Sequence, residues 1–201
     1  MNKHNARWSL VPILSLLALQ AGLAQSTAAT DGPQFTPEGQ LVRPADYREW
    51  VTIGTGLSMA YGPVRDALPA GERPFTNVFV NPSSYRAFLR TGRWPDKTIF
   101  VLEIRGSVAV NKAANGANGL FQGELHGIEA EVKDETRFPG QWGFFGLDPS
   151  RPTGQQIPVG ASCYQCHAKN AAVENTFVQF YPVLRDIARE NQTFKNVPET
   201  F

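Results

Sequence analysis

The chain has 201 residues, with 19 Lys and Arg against 18 Asp and Glu, so its formal net charge is only +1. This near-neutral balance, without a basic block, gives no reason to expect binding to nucleic acid or to an anionic membrane surface. Hydrophobic residues make up 42% of the chain and 13 residues are Phe, which excludes a disordered tail protein. With 18 Gly and 15 Pro the sequence is rich in turns, so a helical bundle and a long coiled coil are not expected.

Residues 1–24 have the pattern of an export signal, with a basic start, an apolar run over residues 10–19 and small residues ending at Ala24. The run is shorter than the roughly 20 residues that span a bilayer and contains Pro12, so a membrane anchor is the weaker alternative. Cleavage leaves residues 25–201 as one exported domain with no further membrane segment. A periplasmic location is therefore expected.

Apolar periodicity and turn residues predict alternating short helices and longer strands. The predicted elements are a helix over 44–51, a strand over 78–80, a helix over 83–90, strands over 98–105, 120–133 and 141–147, and a last helix over 182–190. A loop is expected at 112–119, a surface connection at 148–158, and a helical pattern from Ser162 onward. The expected fold is α+β: a single domain, mainly antiparallel sheet, with short flanking helices.

Within the predicted strand at 98–105, alternation places Phe100, Leu102 and Ile104 on one face. Glu103 lies on the other face and is expected to be a buried acid paired with Arg105 or another base. Elsewhere, Trp50, Trp94 and Trp142 are expected in the core or at a dimer interface. Glu129, Glu131, Lys133 and Asp134 are expected to form the solvated part of a strand end.

Both cysteines of the chain lie in Cys163-Tyr164-Gln165-Cys166-His167, the attachment motif of a c-type haem. Two thiols three residues apart at the start of a helix lie on one side of it, where they can bond the two haem vinyl groups while His167 reaches the iron. A thioredoxin-type redox site is less favoured, because it would need a βαβ unit that the sequence does not show. A zinc site is also less favoured, because it needs four ligands and, besides the two cysteines and the histidine of the motif, the mature chain has only His126 as a further Cys or His. The sequence therefore predicts one covalently attached haem c, bound through Cys163 and Cys166, with His167 as the iron ligand.

The 34 residues that follow His167 contain no Met, in contrast to ordinary electron-transfer cytochromes c, whose methionine ligand lies downstream. A sixth iron ligand would have to be Met59, His126 or a lysine. Met59 is expected to serve packing, and His126 is expected to be a satisfied core or pocket-wall residue. If neither binds, the iron is five-coordinate with an open distal site.

Several blocks spread over the mature chain share the pattern of one family. They are Tyr47-Arg48-Glu49-Trp50-Val51, Asn81-Pro82-Ser83-Ser84-Tyr85, Glu129-Ala130-Glu131-Val132-Lys133-Asp134, the haem motif, and Phe180-Tyr181-Pro182-Val183-Leu184-Arg185. Together they resemble the cytochrome P-460 family. The resemblance implies a sheet-rich homodimer and one of two branches: cytochromes P-460 proper, which oxidise hydroxylamine, or cytochromes c′-beta, which bind nitric oxide and carbon monoxide at a five-coordinate haem.

Departures from the first branch favour the second. The hydroxylamine-oxidising members have a haem-linked lysine at the strand position occupied here by Leu102, and a leucine cannot form that bond. Their distal arginine after a Phe-Thr pair is also absent. The resemblance thus implies a dry distal wall formed by Phe100, Leu102 and Ile104 with Phe75 or Phe79, while Lys97 is expected to be solvated in a turn.

The leading prediction is an exported haem protein that binds a small diatomic gas, nitric oxide or carbon monoxide. One alternative is a hydroxylamine- or nitric-oxide-oxidising enzyme. The other is a simple periplasmic electron carrier, for which a redox partner protein is a further candidate.

Overall fold

The computed structural model describes residues 30–59, 68, 72–109 and 119–197. Asp31–Phe201 form one compact unit. An eight-stranded sheet, antiparallel at every pairing, dominates the described residues, and three α-helices accompany it. The expectation of a mainly antiparallel sheet with short helices is therefore confirmed. The export signal at 1–24 and nearly all of the loop expected at 112–119 lie outside the described residues.

The strands are β1 (Gln34–Phe35), β2 (Leu41–Val42), β3 (Val51–Leu57), β4 (Phe75–Val80), β5 (Ile99–Ala109), β6 (Leu120–Lys133), β7 (Trp142–Leu147) and β8 (Thr153–Gln156). The α-helices are α1 (Pro82–Thr91), α2 (Ser162–Asn170) and α3 (Pro182–Glu190), with short 3-10 helices at Tyr47–Glu49 and Val178–Phe180. Strands β3 to β8 follow one another as a meander, and β2 and then β1 extend the sheet beyond β8. The two longest strands, β5 and β6, lie near its middle.

Two of the predicted elements differ from the structure. The helix expected over 44–51 is only the 3-10 turn Tyr47–Glu49, and Val51 already begins β3. Gly54 does not end a helix but lies within β3, where a Cβ would stand 2.6 Å from the Tyr181 ring, so the missing side chain makes room for that ring. The connection expected at 148–158 contains the short strand β8, whose polar sequence carries no apolar alternation.

Helix α1 shows how local signals set its ends. Pro82 stands at its start, where a fixed φ suits the first turn, and Gly92 closes it with a left-handed φ of 62°. The Asp31 carboxylate accepts a hydrogen bond from the Ser83 backbone N–H at 2.7 Å. Burial alone would raise the pKa of Asp31, but the Ser83 hydrogen bonds outweigh it and lower the pKa.

Apolar residues fill both faces of the sheet. On the face called here the helix face, the core is Val80, Phe88, Trp94, Phe100, Trp142, Val173, Val178, Leu184 and Ala188. On the opposite face, the core is Leu41, Tyr47, Trp50, Phe79, Ile99, Val101, Ile128, Ala130, Val132, Phe138, Phe145 and Leu147. The three tryptophans expected in the core or at a dimer interface are all buried within the chain, so they are core residues.

Candidate functional site

The Cys-x-x-Cys-His motif lies on α2, as its helical position in the sequence predicted. Cys163 is a half-buried free thiol and Cys166 an exposed one. None of the nine residues of α2 is buried. A helix of this length normally buries one apolar stripe, so α2 offers a surface that another group can cover.

The imidazole of His167 is held in one tautomer. Its Nδ1 lies 2.7 Å from the backbone carbonyl oxygen of Asn175. Because a carbonyl oxygen only accepts, Nδ1 carries the proton and donates it, which leaves the lone pair on Nε2. A histidine that binds a metal through Nε2 needs this arrangement.

The turn that supplies this carbonyl is itself fixed. Val173 and Thr176 form an isolated β-bridge, and Glu174 between them has a left-handed φ of 51°. The indole N–H of Trp94 donates to Thr176 Oγ1 at 2.8 Å. The carbonyl of Asn175 is thus positioned by the helix-face core.

Two phenyl rings enclose the imidazole. The rings of Phe144 and Phe177 meet His167 edge to face, each with a centroid separation of 4.6 Å. Phe144 also meets the ring of Tyr164 at 4.7 Å, which ties β7 to α2. These contacts restrict rotation of the imidazole about its Cβ–Cγ bond.

A buried carboxyl group lies beside the same imidazole. Glu131 of β6 places Oε1 3.5 Å from His167 Nδ1, and within the described residues Oε1 has no hydrogen-bond partner. Burial raises the pKa of Glu131 despite the nearby imidazole. Burial would lower the pKa of His167, but the interactions with Glu131, with the Asn175 carbonyl and with the charge of Glu129 together outweigh burial and raise the pKa.

The prediction of a solvated strand end is wrong for three of its residues. Lys133 and Asp134 are buried and the side chain of Glu131 is only 12% exposed, because the helices and turns of the C-terminal part cover this end of the sheet. The ammonium group of Lys133 lies 2.9 Å from Glu174 Oε2 and donates to the Trp94 carbonyl at 2.8 Å. This buried amine therefore pins the turn that carries the Asn175 carbonyl.

Next to α2, one row of cross-strand partners is partly uncovered. The row, called here the open row, is Val78, Leu102, Glu129 and Gly146. Leu102 is half-buried, and no atom lies within 4 Å of the place where a Cβ would stand on the exposed Gly146. Burial raises the pKa of the Cys163 thiol, and the charge of Glu129 adds to the shift. The open row is therefore half-buried over three residues and exposed at Gly146, and Glu129 lies close enough to Cys163 for its charge to act on the thiol.

The neighbouring row is covered. It consists of Val80, Phe100, Glu131 and Phe144. The ring of Phe100 is buried at 4.8 Å from the ring of Trp94 and 6.3 Å from that of Trp142. Phe100 is thus a core residue, and Leu102 is the predicted wall residue that lies in the open row.

The register corrects one prediction about the distal wall. Phe75 and Phe79 pair with Arg105 and Val101, so they point away from the helix face that carries Phe100. The expectation that either Phe shares a wall with Phe100 is wrong, because alternation along β4 places Val78 and Val80, and not the two Phe residues, on the helix face. The contacts of Phe75, Phe100 and Leu102 with a haem stay predictions.

The residues weighed as a sixth iron ligand have other contacts or exposure. His126 Nε2 lies 3.1 Å from Glu72 Oε1, and the β5–β6 register skips His126 at a β-bulge, so it does not simply share the Ile128 face. Met59 is 42% exposed. Lys97, expected to be solvated, is half exposed and lies 2.7 Å from buried Asp134.

Residues 44–178 match the family described as Cytochrome P460. The chain belongs to the cytochrome P460 family. The matched stretch includes α2 and the turn that binds His167. No curated protein matches the chain. Within the parts of this cytochrome that the structure describes, no helix has the length and apolarity needed to cross a membrane.

Membership in the cytochrome P460 family implies a haem cofactor, and the site fits one. Two free thiols stand on an uncovered helix, the Nε2 lone pair of His167 is available, and the sheet beside them is bare at Gly146. Sequence reasoning found the motif but missed Glu131, Asn175, Phe144 and Phe177. Asn175 acts through its backbone carbonyl, which no side-chain pattern reveals.

Proposed function

We propose that this cytochrome P460 family member is an exported c-type cytochrome that binds nitric oxide or carbon monoxide. One haem is attached through Cys163 and Cys166, with His167 as its single protein ligand. The observation that carries this proposal is the hydrogen bond from His167 Nδ1 to the Asn175 carbonyl, which leaves Nε2 for a metal. A bound haem supplies an iron that takes a diatomic gas at its remaining position.

The chain's own residues fix the ligand before any cofactor arrives. The Asn175 carbonyl sets the tautomer of His167, and the rings of Phe144 and Phe177 set its plane. The entropy of ordering the imidazole is lost on folding and not on binding. The two cysteines on the uncovered side of α2 provide covalent attachment at the same place.

An open gas site is supported by the ion pairs of three residues that could otherwise bind the iron as a sixth ligand. His126 is paired with Glu72, and the ammonium groups of Lys97 and Lys133 are paired with Asp134 and Glu174. Each would have to give up this partner to bind iron. For these three residues, a five-coordinate iron leaves the existing pairs intact, whereas ligation would break one of them.

The preference for a gas over hydroxylamine depends on Leu102. Its aliphatic side chain lies in the middle of the open row, between Val78 and Glu129, and contains no nucleophile. Apolar side chains admit nitric oxide or carbon monoxide without offering a group that moves protons. This row is where a lysine would have to stand to bond the haem, as the resemblance implies.

The second candidate function is oxidation of hydroxylamine or nitric oxide. The observation that favours it is Glu129, which brings a carboxylate into the open row directly beside Leu102. A carboxylate at this place can accept a proton from a substrate. Turnover of hydroxylamine by the purified protein would support this second function.

The proposal also includes export to the periplasm and a homodimer. Four large apolar side chains are exposed toward the ends of three strands: Leu57, Met59, Val108 and Phe121. Val108 and Phe121 are cross-strand partners, so two of the four form one contiguous patch. Exposed apolar patches of this kind mark interfaces. Light scattering on the purified protein measures the dimer directly.

Spectroscopy and mass spectrometry test the proposal together. Haem should stay with the denatured wild-type chain and should be lost from the double variant Cys163→Ala/Cys166→Ala. Carbon monoxide should bind the ferrous protein and change its optical spectrum. A six-coordinate spectrum in both oxidation states would support the electron carrier, and a haem peptide linked to any lysine would support the enzyme.

A further inference from the structure

His167 Nδ1–H has two acceptors within reach, on different elements. The Asn175 carbonyl lies at 2.7 Å and Glu131 Oε1 lies at 3.5 Å. The first acceptor is a neutral backbone group in the turn after α2, and the second is a carboxyl group on β6. The family match and the haem motif account for His167, but neither assigns any role to Glu131.

The surroundings of Glu131 make a purely structural role unsatisfactory. Its register partners are Phe100 on β5 and Phe144 on β7, and both are buried aromatic residues. A buried carboxyl normally has hydrogen-bond donors, yet Oε1 has none among the described residues. An apolar residue of similar size would pack there without the cost of desolvation.

We propose that Glu131 is a positioning residue for the iron ligand, which draws on the Nδ1–H of His167 and thereby strengthens the bond from Nε2 to iron. The inference rests on the proposed haem attachment. An acceptor on Nδ1–H makes the imidazole a better electron donor at Nε2. A carboxylate does so more strongly than a carbonyl, because hydrogen bonds to charged acceptors are stronger. Greater donation stabilises the ferric state.

The distance between Glu131 Oε1 and His167 Nδ1 agrees with a role that adds to the Asn175 hydrogen bond. At 3.5 Å the Glu131–His167 contact is longer than an ordinary hydrogen bond, whereas the Asn175 contact is not. The carbonyl therefore fixes the tautomer and the carboxylate adds to its effect. Rotation of the Glu131 side chain toward Nδ1 needs no movement of β6, since the carboxylate stands at the end of two single bonds from Cβ.

The test uses the mature haem-loaded protein and the isosteric variant Glu131→Gln, at one constant pH. Resonance Raman spectroscopy of the ferrous protein reports the iron–histidine stretch, and a redox titration reports the ferric-to-ferrous ratio. The variant should lower the stretching frequency and shift the ratio about tenfold toward ferrous at a fixed ambient potential. For a one-electron couple, that shift equals about 59 mV.

Two further variants keep the result interpretable. Glu124→Gln removes the same charge from an exposed position on the same strand and should leave both readouts unchanged. Glu131→Asp keeps the charge but withdraws the carboxylate, so it should lower the stretch even if the Gln variant fails to fold. Unchanged stretch and potential in a haem-loaded Glu131 variant would overturn the inference alone. Absence of covalent haem from the wild type would overturn the proposed function as well.

Discussion

Glu103 and Glu131 lie on adjacent strands near the middle of the sheet, yet they face opposite sides and differ in almost every contact. Glu103, on the face away from the helices, accepts hydrogen bonds from Tyr47, from Arg48 at 2.7 Å and from Arg105 at 2.8 Å. Glu131 faces the helices and lies 3.5 Å from His167. Burial tends to raise both pKa values, but only Glu103 has enough donors to lower its pKa.

The comparison separates a structural carboxylate from one at a candidate site. A fully paired buried charge fastens parts of the chain together, here the 3-10 turn at 47–49 and β5. An underpaired one leaves hydrogen-bonding capacity for another group. The sequence correctly predicted the buried pair of Glu103 with Arg105 and wrongly placed Glu131 in solvent.

The largest effect is expected from removal of the paired carboxylate. Glu103→Ala should lower the free energy of unfolding by about 3 kcal/mol, because it leaves Arg105 and the Tyr47 hydroxyl without their acceptor. Urea denaturation measures the loss. Glu49→Ala is the matched control, since Glu49 is an exposed acid in the same turn and should change stability by less than about 0.5 kcal/mol. Equal losses in the two variants would contradict the structural role of Glu103.

Two glycines compare a covered part of the helix face, at Gly54, with an open part, at Gly146. Gly54→Ala should cost about 2 kcal/mol, because the new Cβ would stand 2.6 Å from the half-buried ring of Tyr181, which packs against the helix-face core. Gly146→Ala should stay within about 0.5 kcal/mol, since nothing lies within 4 Å of its Cβ position. Thermal unfolding of the haem-free chains compares the pair. A costly Gly146→Ala would mean that the open row is filled.

The pH dependence of stability should follow Glu103. Because hydrogen bonds from Arg105, Tyr47 and Arg48 lower its pKa below the ordinary 4.5, the unfolded chain takes up the proton first as the pH falls. The contribution of Glu103 is complete above about pH 4.5 and is lost as the pH falls through the lower folded-state pKa. Acid denaturation curves should therefore be shallower for Glu103→Gln than for the wild type. Parallel curves would show that other carboxyls dominate.

The smallest effect is expected at Thr76, whose hydroxyl is buried on the helix face without a hydrogen-bond partner among the described residues. Thr76→Val keeps the shape and removes the unpaired hydroxyl, so stability should rise by about 1 kcal/mol. Denaturant unfolding of the haem-free protein measures the gain. A loss of stability would indicate that the hydroxyl binds a group beyond the described residues.

The parts of the fold that the sequence predicted are those with strong local signals. Strands β5 and β6 have long apolar alternation, and α1 and α3 begin at Pro82 and Pro182. Strand β3 was not predicted because its glycines have the pattern of residues that end a helix. In the structure Gly54 instead makes room for a tertiary contact, since the Tyr181 ring occupies the space beside it. Such packing depends on residues more than a hundred positions away.

Only part of the candidate site could be predicted from the sequence. Cys163, Cys166 and His167 follow from five consecutive residues, and the structure places them together on α2. The residues that control His167 come from β6, β7 and the turn after α2, and pairing across the sheet decides which of them meet. Alternating acids such as Glu129 and Glu131 have the pattern of a solvated face until the covering elements are known.

The two acceptors on His167 differ in how they can be inherited. A backbone carbonyl belongs to every residue, so any side chain at position 175 that preserves the turn also preserves the hydrogen bond at 2.7 Å. The carboxylate at position 131 can be lost by a single codon change. If His167 binds iron as proposed, a substitution at position 131 would change its electron donation and leave its tautomer in place.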